Sequence, residues 1–561
     1  MKTLWVVFST VALTSAVGIS HSHGAEAVDA IPDTAAVVLR WKAPETSVGK
    51  LADFVDAVQP GFGATVKQSV PAIGQAIGNP GLKGVELSQD IWVVMFAEPQ
   101  AAPTIVFVMT AKDVDDVKDA LGAAFEVHSD GKLVAYSQND DALEEIRQRL
   151  GGEGKSLLTI IDANSKKLFD SSDVALLVNV KQLVEDFSDE LDQAEPQLDA
   201  LIDQFTNALP EAQRPQLEAA FDMYRTLGKA LLAGVRDTNS FVLGASFTKT
   251  AIRLEDRVQL ADGSASSKFL ARQTTGDLAL MGKLPAGKAA YVGFKGDLSN
   301  MIEWSMQMTK GMLTDATDEQ KADLDAAMKG LAKVKYEEMA MYLDLSPKAP
   351  GFHGGAVSAV NSTKGLKELT HKLLKSMSEL HTPTFTQKTS LEPNAEKIGG
   401  VDVDRVTIKQ EFDDSNPGVE IQQKVMAAMF GGDGMQQLVM YQPTRTLQTT
   451  GGGKAEMQAL QTAVDSTKTG DAAATAARKR FPAKANIIAL FDVARMVQNG
   501  AQLAGEQDVP VNTEALSGLK LEPSFIGFAI GTEANSLQSQ LEIPVIQVQN
   551  IAKLIGIFQQ Q

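Results

Sequence analysis

Ser240-Phe241-Val242-Leu243-Gly244-Ala245-Ser246-Phe247-Thr248 returns near the end of the chain as Ser524-Phe525-Ile526-Gly527-Phe528-Ala529-Ile530-Gly531-Thr532. Each stretch runs into a second strand-like stretch, Ala251 to Leu254 and Ala534 to Leu537. Other segments recur in the same order. Ile31-Pro32 leads into Ala35 to Leu39 as Leu284-Pro285 leads into Ala289 to Phe294, and proline suits a strand's first position because its missing N–H is not yet needed. Leu133-Val134-Ala135-Tyr136 matches Leu438-Val439-Met440-Tyr441, and Val174 to Val178 matches Ile487 to Phe491. Ordered matches of this kind are the mark of internal repetition.

The pattern predicts an α+β protein of two tandem homologous halves, each with twisted mixed or antiparallel sheets covered by helices. The expected limits are a signal peptide at 1–27, a first half at 28–281 and a second half at 282–561, with an insertion near 374–430. Helices are expected to begin near Asp113 in one half and near Thr363 in the other. Residues 182–232 read as successive acidic amphipathic helices covering a sheet. Their apolar stripes are Leu198, Leu201, Ile202, Phe205 and Leu209, then Leu217, Phe221, Tyr224 and Leu231, with Pro196, Pro210 and Pro215 as interruptions.

Export is read from the first residues. Met1-Lys2 gives a basic start, Leu4 to Ile19 an apolar core, and Ala25-Glu26-Ala27 the small-x-small pattern of a cleavage site; Gly24 offers a second one. The core is shorter than the ~20 apolar residues that span a bilayer. A periplasmic or extracellular chain is therefore expected, with no transmembrane segment after cleavage. The sequence holds no cysteine, so neither a disulfide nor a lipoprotein thioether can form. The net charge of -18 repels phosphate backbones and excludes nucleic acid as a natural partner.

The layout resembles uncharacterised exported bacterial proteins of unknown function. The resemblance is carried by Ser156-Leu157-Leu158, Asp173-Val174-Ala175-Leu176-Leu177-Val178-Asn179-Val180 and Tyr136-Ser137-Gln138-Asn139-Asp140-Asp141-Ala142-Leu143. It implies no activity and no site residue.

Catalytic motifs are missing. Gly154-Lys155-Ser156 ends like a phosphate loop, but Arg149 stands where its first glycine belongs; Gly451-Gly452-Gly453-Lys454 is followed by Ala455 instead of a hydroxyl. No Gly-x-Ser-x-Gly elbow occurs, and His128, His353, His371 and His381 show no metal-ligand spacing. Asp113, Asp115 and Asp116, Asp140 and Asp141, and Asp413 and Asp414 read as helix caps and turn residues. Asp402 and Asp404 read as strand alternation, and Arg478-Lys479-Arg480 as the basic end of an Ala-rich helix. Met301, Met306, Met308 and Met312 are expected on one helix with the first, third and fourth in the core, while Met426, Met429, Met435 and Met440 form a second group. No catalytic, cofactor-binding or metal-binding residue is assigned, and no cofactor. The reading is a non-catalytic exported protein that binds an unknown protein or envelope partner. The alternatives are a periplasmic hydrolase using convergent carboxylates, or a carrier of apolar ligands.

Overall fold

The computed structural model describes residues 28–559 apart from 69, 100, 210–213, 298–316, 332, 382–384, 413–418, 468–469 and 508–510. The segment expected as a signal peptide, the methionines at 301–312, Pro210 and the pair Asp413 and Asp414 lie outside the described residues. The chain is α+β, and its described strands pair with antiparallel neighbours. It forms two compact units. One gathers the described residues of Met1–Glu195, Leu231–Ala271 and Glu533–Gln549; the other gathers those of Pro196–Ala230, Arg272–Thr532 and Asn550–Gln561.

The first unit contains β1 (Val37–Trp41), β2 (Ile91–Phe96), β3 (Thr104–Thr110), β4 (Glu126–Asp130), β5 (Leu133–Ser137), β6 (Val174–Val178), β7 (Thr238–Phe247) and β8 (Ala251–Leu260), joined by the last strand of the chain, β19 (Ser536–Pro544). Their lateral order is β4–β5–β3–β2–β1–β6–β7–β8–β19. Runs such as Ile91-Trp92-Val93-Val94-Met95-Phe96 carry β-branched and aromatic side chains to both faces, so they sit in the middle of the order and are covered twice. On one face Trp92, Val94, Val106 and Ala135 pack with Leu143 and Ile146 of the helix Asp140–Leu150 and Phe169 of the helix Ala163–Ser171. On the other, Ile91, Met109, Val134 and Tyr136 pack with Val117 and Leu121 of the helix Val114–Leu121. Helices thus cover both faces of these strands. Phe169 is 0% exposed, and burial of that size contributes about 1.5–3 kcal/mol.

The second unit contains β9 (Ala290–Phe294), β10 (Tyr336–Leu345), β11 (Phe352–Val360), β12 (Glu379–His381), β13 (Phe385–Ile398), β14 (Val401–Phe412), β15 (Met435–Gln442), β16 (Arg445–Thr450), β17 (Ile487–Phe491) and β18 (Ile526–Glu533). Their order is β12–β13–β14–β15–β16–β11–β10–β9–β17–β18. Tyr291, Tyr342, Val357, Met440, Leu447, Met457, Leu460 and Ile488 form its core. Met440 is fully buried there, while Met426, Met429 and Met435 are half-buried.

Registers repeat between the two strand orders. Val37 to Trp41 faces Val178 to Val174 across β1–β6, and Ala290 to Phe294 faces Phe491 to Ile487 across β9–β17. Val106 faces Ser137 and Thr110 faces Leu133 across β3–β5; Gly355 faces Thr449 and Ala359 faces Arg445 across β11–β16. Side chains at the junctions repeat as well. Asp173 Oδ2 accepts from Phe247 N, and Asn486 Oδ1 accepts from Thr532 N. Asn179 and Asp492 each cap the helix after β6 or β17. These registers place Leu133–Ser137 with Arg445–Thr449, whereas the sequence match joins Leu133–Tyr136 to Leu438–Tyr441; the latter lie in β15, which takes the place of β4.

Between the helix Leu366–Ser376 and β15, the second unit adds β12, β13, β14 and the helix Val419–Phe430. The long helical pair Ser188–Ala208 and Arg214–Arg236 precedes β7, and its described residues between Pro196 and Ala230 belong to the second unit. Pro196 lies inside the first of these helices and does not end it, because a helix of 21 residues carries through the loss of one N–H donor.

Candidate interaction surface

The groups singled out by sequence mostly do local work. Asp113 caps its helix by accepting from Asp115 N and Asp116 N at 3.0 and 3.1 Å. Asp140 and Asp141 occupy the first turn of the helix that Asn139 caps. Ser156 caps a short 3-10 turn, so Gly154-Lys155-Ser156 holds chain geometry. Gly451, Gly452 and Gly453 all have positive φ and start the helix Gly453–Asp465. A Cβ on Gly451 would lie 2.1 Å from Phe352 O, which explains glycine there without a phosphate. Arg478 donates to the carbonyls of Pro482 and Ala483 just past its own helix end. His128, His353 and His381 stand on separate strands, and no group of three or more His, Asp or Glu fit for a metal ion occurs among the described residues.

Two polar constellations form in the second unit that no sequence motif announced. In the first, Glu456 Oε1 accepts from Lys288 Nζ and from Tyr342 Oη, both at 2.6 Å, and the Lys288 ammonium stands 4.8 Å from the Tyr342 ring centroid. Lys288 and Glu456 side chains are each only 14% exposed. Burial alone raises the Glu456 carboxyl, but the hydrogen bonds from Lys288 and Tyr342 and the Lys288 charge outweigh it and leave it below its ordinary value. Burial raises the Tyr342 phenol, and the bond to Glu456 raises it further, so it stays protonated and donating. At the matching register positions of the first unit, Val94 stands for Tyr342 and Ala35 for Lys288, both fully buried. The second unit has a polar knot where the first has an apolar core.

In the second constellation Asp404, on β14, accepts from Lys367 Nζ at 2.9 Å and Asn394 N at 2.8 Å through Oδ1, while Oδ2 lies 2.6 Å from His371 Nε2. Lys367 and His371 come from one face of the helix Leu366–Ser376, four residues apart. Asn394 takes φ 53 at a bulge of β13, which aims its N–H at the carboxylate. Lys367 also stands 5.8 Å from the Tyr441 ring centroid, and burial pushes that phenol up to about 12.

In both knots the carboxylate is held by donors of the chain itself. A general base needs a lone pair free to meet a substrate proton. Asp404 has both oxygens engaged and its side chain is 1% exposed, and Glu456 is held by an ammonium and a phenol. Fixed, mutually satisfied groups of this kind position chain segments.

Exposure points elsewhere. The helical pair holds together through Arg225, which meets Asp199 at 3.0 Å and Asp203 at 2.7 Å, and through Lys229, which meets Asp199 at 3.0 Å. Gly228 permits the close crossing: a Cβ there would lie 2.4 Å from Leu198 Cδ2. Helical steps place Leu201 and Phe205, and Tyr224 and Leu227, on the flank away from these ion pairs. All four are open to solvent, at 48%, 58%, 56% and 49%. The sequence pattern predicts a stripe that covers a sheet; among its described side chains only Ile202 is buried, and Leu231 is 64% exposed. The seam between the helices and its ion pairs satisfy one side of each helix, and the stripe beside it remains in water.

No family model matches the chain, and no curated protein matches it. Among solved structures, crystal form III of TP0453 is similar over 49% of this chain and 97% of that chain, at 9% identity and a TM-score of 0.21, too small a likeness to carry an argument. No described helix is long and apolar enough to cross a membrane.

Proposed function

We propose that the protein is an exported, non-catalytic binding protein that docks a protein partner of the cell envelope through the helical pair. The observation that carries this is the open apolar flank of Leu201, Phe205, Tyr224 and Leu227, since contiguous exposed apolar area of this kind marks interaction sites. The polar knots support a scaffold over a hydrolase, because the chain itself engages both oxygens of Asp404 and Oε1 of Glu456. The basic start, apolar core and cleavage pattern of residues 1–27 support export. The repeated registers support descent of the two units from one duplicated ancestor, with the helical pair and the strands β12–β14 as separate additions.

The expected result in an extract of the producing cells is a complex that elutes well ahead of the purified chain. The double variant Leu201→Ser with Phe205→Ser is expected at the elution position of the free protein, with unchanged far-ultraviolet circular dichroism. Elution of both proteins at the free position would defeat the docking reading.

A further inference from the structure

We propose that the occupant of this flank is a cationic amphipathic segment of the partner, apolar on one side and bearing Lys or Arg beside it; this rests on the docking reading above. Charge complementarity carries the choice. The helix Ser188–Ala208 bears Asp189, Glu190, Asp192, Glu195, Asp199 and Asp203 and has no Lys or Arg. Its partner helix carries Arg214, Arg225, Lys229 and Arg236 beside Glu218 and Asp222, which leaves the pair acidic in sum. Arg225 and Lys229 are turned onto Asp199 and Asp203, as Arg236 is onto Asp192. The apolar flank is therefore offered within an acidic element, on a chain whose net charge is -18. Such a field speeds and orients the approach of a cation-bearing segment and repels an acidic one.

The same charges weigh against the other two occupants. Anionic lipid headgroups attract basic amphipathic helices, and an acidic one meets them with like charge. A second copy would set one acidic helix against another. Leu201 with Phe205 and Tyr224 with Leu227 form an apolar face on two helices, against which an incoming amphipathic helix can lay its own apolar anchors at i, i+3, i+4 and i+7.

The test uses the full exported chain and two synthetic amphipathic helices with the same leucine face, one with lysine and one with glutamate on the polar face. Titration calorimetry at low salt is expected to show the Leu/Lys peptide binding at least about tenfold more tightly than the Leu/Glu peptide. Leu201→Ser with Phe205→Ser is expected to weaken the Leu/Lys peptide by about tenfold or more, since anchors in the apolar patch carry the affinity. Equal binding of the two peptides would overturn the cationic occupant while leaving an apolar docking site. Leu/Lys binding untouched by the double variant would show adsorption to bulk charge and overturn the seat itself. Phosphatidylglycerol vesicles and the protein's own oligomeric state are read in parallel. Vesicle binding, or a dimer, that the double variant abolishes would overturn the proposal in favour of a membrane or of a second copy.

Discussion

Glu456→Ala is expected to lower the free energy of unfolding by about 3–5 kcal/mol, the cost of leaving one half of a buried ion pair without its partner. Lys288 is 14% exposed, its ammonium lies against Glu456 and the Tyr342 ring, and Tyr342 Oη loses its acceptor in the same stroke. The companion variant separates pair loss from packing loss. Removing both charges, Lys288→Ala with Glu456→Ala, is expected to cost less than Glu456→Ala alone, because no uncompensated charge then remains. At the matching register positions of the first unit, Ala35 and Val94 are apolar and fully buried. Urea denaturation of the parent, Glu456→Ala, Lys288→Ala and the double variant measures these costs. A double variant as unstable as the sum of its single variants would show that Lys288 and Glu456 act independently, against the geometry.

How much of this is open to the sequence depends on how local each signal is. Val174 to Val178 and Ile487 to Phe491 are unbroken apolar runs, and such runs belong to strands covered on both faces, which is where β6 and β17 lie. The helices expected near Asp113 and Thr363 are legible from their caps and periodicity, and they stand at Val114–Leu121 and Leu366–Ser376. Pairing is harder. Leu133–Tyr136 and Leu438–Tyr441 share a side-chain alternation that any half-buried strand shows, and only hydrogen-bond partners distinguish β5 from β15. The polar knots join residues too distant to form a pattern: Lys288 meets Glu456, and Asp404 meets His371 from another element. The four-residue step from Lys367 to His371 is the one local hint. For the helical pair, periodicity tells which residues share a face but not whether the chain itself covers them. Leu201, Phe205 and Tyr224 carry a core-like pattern for that reason and are open to solvent.

Asp404→Asn is expected to destabilise the second unit by about 3 kcal/mol near neutral pH, since hydrogen bonds to a charged group contribute about 1.5–3 kcal/mol and Asp404 receives several. Burial alone raises this carboxyl, yet the hydrogen bonds from Lys367, Asn394 N and His371, with the Lys367 charge, hold it below its ordinary value. A carboxyl whose folded value is depressed stabilises the protein above its unfolded value, and that contribution is lost as the pH falls through the folded value. The parent's advantage over Asp404→Asn should therefore be undiminished from about pH 7 to about pH 5 as far as Asp404 itself is concerned, then shrink as Asp404 takes up its proton below the ordinary carboxylate range. Lys367 and His371 face the carboxylate from the helix Leu366–Ser376 and Asn394 N from β13, so the variant removes the charge and one of the two acceptor oxygens shared by two elements. Neither Lys367 nor His371 is deeply buried, at 31% and 24%, and both can turn toward water, which keeps the cost below that of Glu456→Ala. Denaturation midpoints of parent and variant, taken across the acid range, give the difference directly. A gap that stays constant down to about pH 2 would mean that the Asp404 charge contributes nothing and that the loss is one of shape.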